Sequence, residues 1–311
     1  MLSALQLVIP IPLLIFTGWF ARRIGLLGPY AALGIDRFNS LLATPALLFN
    51  IISHASWANL WQPNFILTLM LSGMLSMCLA LFACLYYGDC IPDASIKCFN
   101  AGYTNIRFIG LPFILIAADR NIIVEITFAF LLATLFALII VISLAEFNSS
   151  RSRRTHSHAI KIDRAFVLNP TLVVSVAAVI FSIFGMTPPT SADVFLNLLA
   201  GAASPCALIA LGIFSADKDE IRIPSYCIPA WILCCKLLLN PLLAFVLSRF
   251  VFHLSPLATQ AVVLLAALPA GTGSDILAKL YGSKAKVSSQ FIMLSVLVFI
   301  VIISLCVGAT Q

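Results

Sequence analysis

Charge is what this sequence has least of. Only 10% of its 311 residues are Asp, Glu, Lys or Arg, while 61% are hydrophobic. Soluble chains average about 25% charged and 45–50% apolar, so an ordinary cytosolic or secreted domain is excluded. The Gly-X-Y period of collagen and the polar, charge-rich stretches of disordered chains are missing too. Nine cysteines occur, at 78, 84, 90, 98, 206, 227, 234, 235 and 306. None forms a C-x-x-C pair or has a neighbouring His, so neither a disulfide scaffold nor a metal centre is read from them, and no cofactor is expected. Lying mostly in apolar runs, they are expected to act as small buried hydrophobes.

What the chain does have is apolar length, with a mean hydropathy of +1.08. A membrane-spanning helix needs about 20 mostly apolar residues. Runs separated by polar or Pro-containing breaks fall near 4–21, 33–53, 64–87, 95–118, 122–145, 165–184, 192–214, 227–250, 257–279 and 288–308. The expectation is an all-α polytopic membrane protein with ten transmembrane helices. The first run, Ser3 to Ala21, has no basic segment ahead of it and Arg22-Arg23 behind it, which reads as a retained span and not a cleaved leader.

The largest polar interruption, 146–164, holds Arg151, Arg153, Arg154, Lys161 and Arg164 against Glu146 and Asp163. Basic short loops stay in the cytoplasm. Placing this loop inside puts both termini outside and assigns Arg22, Arg23, Arg37, Lys97, Lys218, Arg222, Lys279, Lys284 and Lys286 to the cytoplasmic side as well, fourteen of the 18 basic residues. Arg120 and Arg249 fall outside; Arg107 and Lys236 lie within spans. The net charge of +6 is thus mainly a topology signal of a plasma-membrane protein embedded in lipid. A nucleic-acid partner is not expected, and His156 and His158 read as solvated.

Self-comparison turns the list of spans into an architecture. Pro10 and Pro170 differ by 160, as do Gly25 and Gly185. Ala43-Thr44-Pro45-Ala46-Leu47-Leu48 returns as Ala203-Ser204-Pro205-Cys206-Ala207-Leu208 at the same offset, and Leu111-Pro112 pairs with Leu268-Pro269 at 157. The division is a first five-helix repeat over 1–145, the basic loop 146–164, and a second five-helix repeat over 165–311. Five spans is an odd number, so the second copy enters the bilayer from the opposite side. Inverted repeats are a common build of secondary transporters.

Spans four and nine carry the breaks: Asn105-Ile-Arg107-Phe-Ile-Gly110-Leu-Pro112 in one, and Leu268-Pro269-Ala-Gly271-Thr-Gly273-Ser274-Asp275 in the other. Proline removes a backbone donor, and the residue before it leaves the helical region; the glycines admit close backbone approach. Irregular backbone at membrane depth needs protein or a water-filled cavity around it. A half-helix beginning after each proline would aim its N–H groups and positive end at the bilayer centre, where two such ends suit an anion; simple kinks are the plainer alternative. Arg107 either pairs with a substrate carboxylate or has a structural role, and Asn105 both donates and accepts. Lys236 and Asp275 are the other charges near mid-span. They read as an ion pair, either static or broken when Asp275 takes a proton, which would couple transport to a proton gradient; sodium coupling is the other possibility.

These residues resemble the auxin efflux carrier family, which groups plant auxin exporters with bacterial malonate- and malate-type carriers. The likeness covers nearly the whole chain. It rests on Gly18-Trp-Phe-Ala-Arg22-Arg23-Ile-Gly25, on Phe38 to Phe49 with Thr44-Pro45, and on Asn105, Gly110, Leu111 and Pro112. Ser204-Pro205 through Leu211-Gly212 and Pro269 with Ala278 and Tyr281-Gly282 complete it. The resemblance implies a scaffold of spans 1, 2, 6 and 7, forming a homodimer, beside a unit of spans 3 to 5 and 8 to 10 that slides like an elevator. The family often has a small residue at Arg107 and an Asn at Gly273. Ser274 or Asp275 would then replace that Asn, and Arg107 would favour a small dicarboxylate.

The expected function is secondary transport of a small organic anion by alternating access, with Asn105, Arg107, Gly110, Pro112, Pro269, Gly271, Gly273 and Ser274 at the substrate and Asp275 and Lys236 in ion coupling. An anion channel or a ligand sensor without concentrative transport is the alternative. An enzyme is not expected: Gly271-Thr-Gly273-Ser-Asp275 loosely matches the Gly-x-Gly-Asp of intramembrane aspartyl proteases, but no second mid-span aspartate completes a dyad.

Overall fold

The computed structural model describes residues 9–28, 30–104, 110, 120–149, 170–216, 230–269, 295 and 298–299, and every regular element among them is helical. In chain order they are α1 (Pro10–Arg23), α2 (Ala31–Phe38, Asn39–Ala43 and Thr44–Ser53 in one run), the short α3 (Trp57–Leu60), α4 (Pro63–Tyr86) and α5 (Ile91–Gly102). These are followed by α6 (Arg120–Ser149), α7 (Pro170–Ile183), α8 (Thr190–Ala216), α9 (Ala230–Cys234 continuing through 251) and α10 (Pro256–Ala267). Among the described residues three helices are long and apolar enough to cross a membrane: α4, α8 and the Trp231–Val251 part of α9. Their outward faces carry large apolar side chains, Phe82, Leu198 and Leu238 among them. An apolar exterior on this scale belongs against lipid.

The helix ends follow from local chemistry. Pro10 and Pro170 each open a helix, the position where a missing N–H costs nothing. Gly25 (φ 78°) and Gly185 (φ 62°) close those two helices in the left-handed region. The amide after each glycine returns to the carbonyl five residues back, Leu26 N to Ala21 O at 3.0 Å and Met186 N to Phe181 O at 2.9 Å, the Schellman arrangement that satisfies end carbonyls. α4 and α9 also end alike, on Gly88 (φ 86°) and His253 (φ 48°); 253 less 88 is 165. The two helices that follow, α5 and α10, are 12 residues each, and 267 less 102 is again 165.

Proline also shapes the interiors. A π-helical turn, Asn39–Ala43, lies just ahead of Pro45 in α2, and another, Cys235–Leu239, just ahead of Pro241 in α9. A helical proline leaves the carbonyl four residues back without its donor and pushes against it, and widening the turn relieves that crowding. Pro205 lies inside α8 without such a turn.

Packing divides the described helices into two groups. α1, α2, α7 and α8 pack together, and α4, α5, α6, α9 and α10 form the second set. In the first, α1 and α8 cross through reciprocal glycines: Gly18 lies on the Ile209 carbonyl and Gly212 on the Ile15 carbonyl, with no room for a Cβ at either. Small residues at such crossings are how membrane helices gain dispersion contact. Ser182 Oγ donates to Ala55 O at 2.7 Å, and Asn50 Nδ2 donates to Asp193 Oδ1 at 3.3 Å, tying α7 and α8 to the end of α2.

The helix before the basic loop runs to Ser149, within a few residues of the expected end at 145. Two expectations are corrected. The first half of span four stops at Gly102, well ahead of Pro112. Burial holds for Cys84 and Cys98, but Cys78, Cys90 and Cys234 are exposed, since a thiol is equally at home on an apolar outer face.

Candidate functional site

The two early helix ends border one cleft. α5 stops at Gly102, Tyr103 is extended at ψ 137°, and α10 stops at Ala267 with Leu268 extended at ψ 144°. Leu268 is the residue before Pro269, where crowding by the proline ring disfavours helix. At Gly102 the cause is tertiary. A Cβ there would overlap the Gly73 carbonyl and the Met77 side chain, so the chain passes against α4 with backbone on backbone. Phe99 and Tyr103 stack with ring centroids 4.3 Å apart, holding the turn-out.

A helix end leaves carbonyls without intrahelical donors, and here side chains from the neighbouring helix supply them. Ser76 Oγ of α4 donates to Ala101 O of α5 at 2.9 Å, 25 residues along the chain. Asn240 Nδ2 of α9 donates to Ala266 O of α10 at 3.1 Å, 26 residues along. The same device thus closes both ends.

A second contact ties α9 to the break after α5: Lys236 Nζ donates to Thr104 Oγ1 at 2.7 Å. Lys236 is completely buried and Thr104 only 7% exposed. The widened turn Cys235–Leu239 carries Lys236, and Asn240 follows it directly. One stretch of α9 therefore reaches both helix ends. The ends border a narrow cleft, lined by α4, by Gly102, Tyr103 and Thr104, by α6 from Ala133 to Ile140, and by Asn240 and Ala266. A few polar groups in a mostly apolar concavity is the ordinary composition of a small-molecule site.

Of the residues expected from sequence, Gly110 and Pro269 are buried, and Lys236 is buried with Thr104 as its partner. Asn105, Arg107, Pro112, Gly271, Gly273, Ser274 and Asp275 lie outside the described residues. What the described residues bring together is the carbonyl ends of two half-helices; the amide ends expected after Pro112 and Pro269 also lie outside them. Sequence reasoning missed Thr104, Thr134, Asn240 and Ser76. Asn240-Pro241, a polar residue beside a proline in an apolar run, was the available signal for one of them.

Comparison with known proteins agrees with this architecture. The family model described as "Membrane transport protein" matches residues 3–307. A "Putative malonate transporter" of Rhizobium meliloti (strain 1021) is 27% identical over 296 residues, covering 94% of this chain and 91% of that protein. With two helix ends bordering a lined cleft and a family match over nearly its full length, the chain belongs to the membrane transport protein family of auxin efflux carriers, and it is an integral membrane transporter, not an enzyme.

Proposed function

We propose that the protein is a secondary carrier of a small organic anion that works by alternating access, with substrate held where spans four and nine cross. The observation that carries this reading is the pair of helix ends at Gly102 and Ala267, joined by Lys236 and Asn240 beside one cleft. The matched landmarks support two inverted five-helix repeats, 1–145 and 165–311 about the loop 146–164. Those landmarks are the prolines that open α1 and α7, the glycines that close them, the left-handed residues ending α4 and α9, and the equal lengths of α5 and α10. The two packing groups support a scaffold of α1, α2, α7 and α8 beside a sliding unit of the remainder, assembled as a homodimer in the plasma membrane with both termini outside. The relative's name, "Putative malonate transporter", makes a short dicarboxylate the first substrate to test.

Asn105, Arg107, Gly110, Pro112, Pro269, Gly271, Gly273 and Ser274 are the proposed substrate-side residues, with Asp275 and Lys236 coupling uptake to protons or sodium. Purified protein in liposomes, offered mono- and dicarboxylates under imposed pH, sodium and voltage gradients, should concentrate at least one of them; a channel would only equilibrate it. Arg107→Ala and Asn105→Ala should each raise KM about tenfold, the loss of one good hydrogen bond to a charged group. Unchanged affinity and rate in both would move the site elsewhere. Asp275→Asn should abolish the response of uptake to an inward proton gradient while leaving substrate binding measurable; a retained response rejects proton coupling through that residue.

A further inference from the structure

Three polar residues that line the cleft are left with unused hydrogen-bonding capacity. Asn240 is 2% exposed. Its Nδ2 donates to the Ala266 carbonyl, an acceptor only, which settles which end of the amide is nitrogen. Oδ1 is therefore held as an acceptor, and it is buried with no partner among the described residues. Thr134 Oγ1 is likewise buried and unpartnered. This departs from its own helix, where Thr127 donates to Ile123 O at 2.6 Å and Ser143 to Ile139 O at 2.7 Å. Thr104 completes the set. Its oxygen accepts from Lys236, so its hydroxyl proton is directed away from the amine, and Thr104 lines the cleft. The walls around these groups are largely Leu69, Met70, Met74, Met77 and Phe136, which offer no compensating partner.

Resting on the carrier reading above, we infer that Thr104, Thr134 and Asn240 determine substrate specificity, and that they select a small carboxylate carrying a second oxygen that bears a proton. Two hydroxyls donate to the carboxylate; the fixed Asn240 Oδ1 accepts the ligand's proton. Lys236 is a positioning residue that acts through Thr104. A dicarboxylic acid with one carboxyl protonated and a hydroxy acid both satisfy this pattern. A fully ionised dicarboxylate or a half-ester brings an oxygen lone pair to Oδ1 and is refused, because a polar site left unpaired discriminates more strongly than an apolar one.

The test uses the full-length protein in liposomes with malonate, glycolate and monomethyl malonate as probes. Thr104→Val and Thr134→Val should each raise KM about tenfold, with the serine replacements at the same positions returning it to near the wild-type value. Monomethyl malonate should bind at least tenfold more weakly than the better of the other two. If malonate is carried half-protonated, its KM falls as pH falls through the second ionisation of malonic acid; if a hydroxy acid is the natural class, glycolate is preferred with no such pH dependence. Wild-type uptake of malonate or glycolate with both valine variants unaffected overturns the inference and leaves the carrier reading standing. Monomethyl malonate equal to the better probe overturns the part assigned to Asn240. Failure of the wild type to concentrate any organic anion removes both readings.

Discussion

Gly212→Ala will destabilise the folded protein by about 3 kcal/mol or more, at the upper end of what overpacking costs. The new methyl would overlap the Ile15 carbonyl and crowd the Trp19 amide. Both are backbone atoms of α1, so no side-chain rotation relieves the collision, and the helices must separate along their whole crossing. Gly18 faces the Ile209 carbonyl in the same way, which leaves α1 no smaller residue to compensate with. Gly201 is the internal control. It lies in the same helix with nothing near its Cβ position, so Gly201→Ala should stabilise by roughly 0.5–1 kcal/mol through helix propensity alone. Thermal unfolding of the two variants in detergent, read beside the wild type, checks the contrast. If Gly212→Ala unfolds at the wild-type temperature, the close crossing of α1 and α8 is not what holds this group of helices together.

The second large effect is expected at Lys236, where stability and transport should move in opposite directions. Lys236→Met keeps the length of the side chain and removes an amine whose burial in a span costs about 3 kcal/mol on insertion scales. Against that gain stands one lost bond to Thr104, with its oxygen left unsatisfied at about 1–3 kcal/mol. The folded protein should therefore be at least as stable as the wild type. Transport should fall at least tenfold, because Thr104 is no longer oriented and the end of α5 loses its tie to α9. A buried polar group retained against stability is a common mark of function. Melting temperature and initial uptake rate, measured on the same preparation, decide it: wild-type uptake in Lys236→Met, or a large loss of stability, contradicts the assignment.

How much of this was legible beforehand depends on the range over which each feature is caused. Pro10, Gly25, Pro170 and Gly185 act on their own backbone within a turn; the sequence showed them as repeat landmarks, with the two prolines inside the expected spans 4–21 and 165–184, and the structure has the prolines at helix starts and the glycines at helix ends. Leu268 left the helix because the next residue is Pro269. Gly102 ends α5 for a different reason, the Gly73 carbonyl and Met77 of another helix, and the more conspicuous Pro112 drew the expected break downstream. Thr104 was passed over because a single threonine in an apolar run has no pattern; its partner lies 132 residues away. Ser76 is in the same position, since a serine in an apolar span most simply returns to its own helix.

Composition and charge asymmetry by themselves determined that this chain lives in a membrane, because the free energy of placing apolar and basic residues depends on residue type far more than on neighbours. Proline and glycine determined most of the helix limits, being constraints on the chain's own dihedral angles. Only the tertiary structure decided that the ends of α5 and α10 border one cleft, that Lys236 reaches Thr104, and that Asn240 Oδ1 and Thr134 Oγ1 are left without partners among the described residues. Hydrogen bonds between residues far apart in the chain depend on how the helices are set against one another, and that setting is a property of the packed whole.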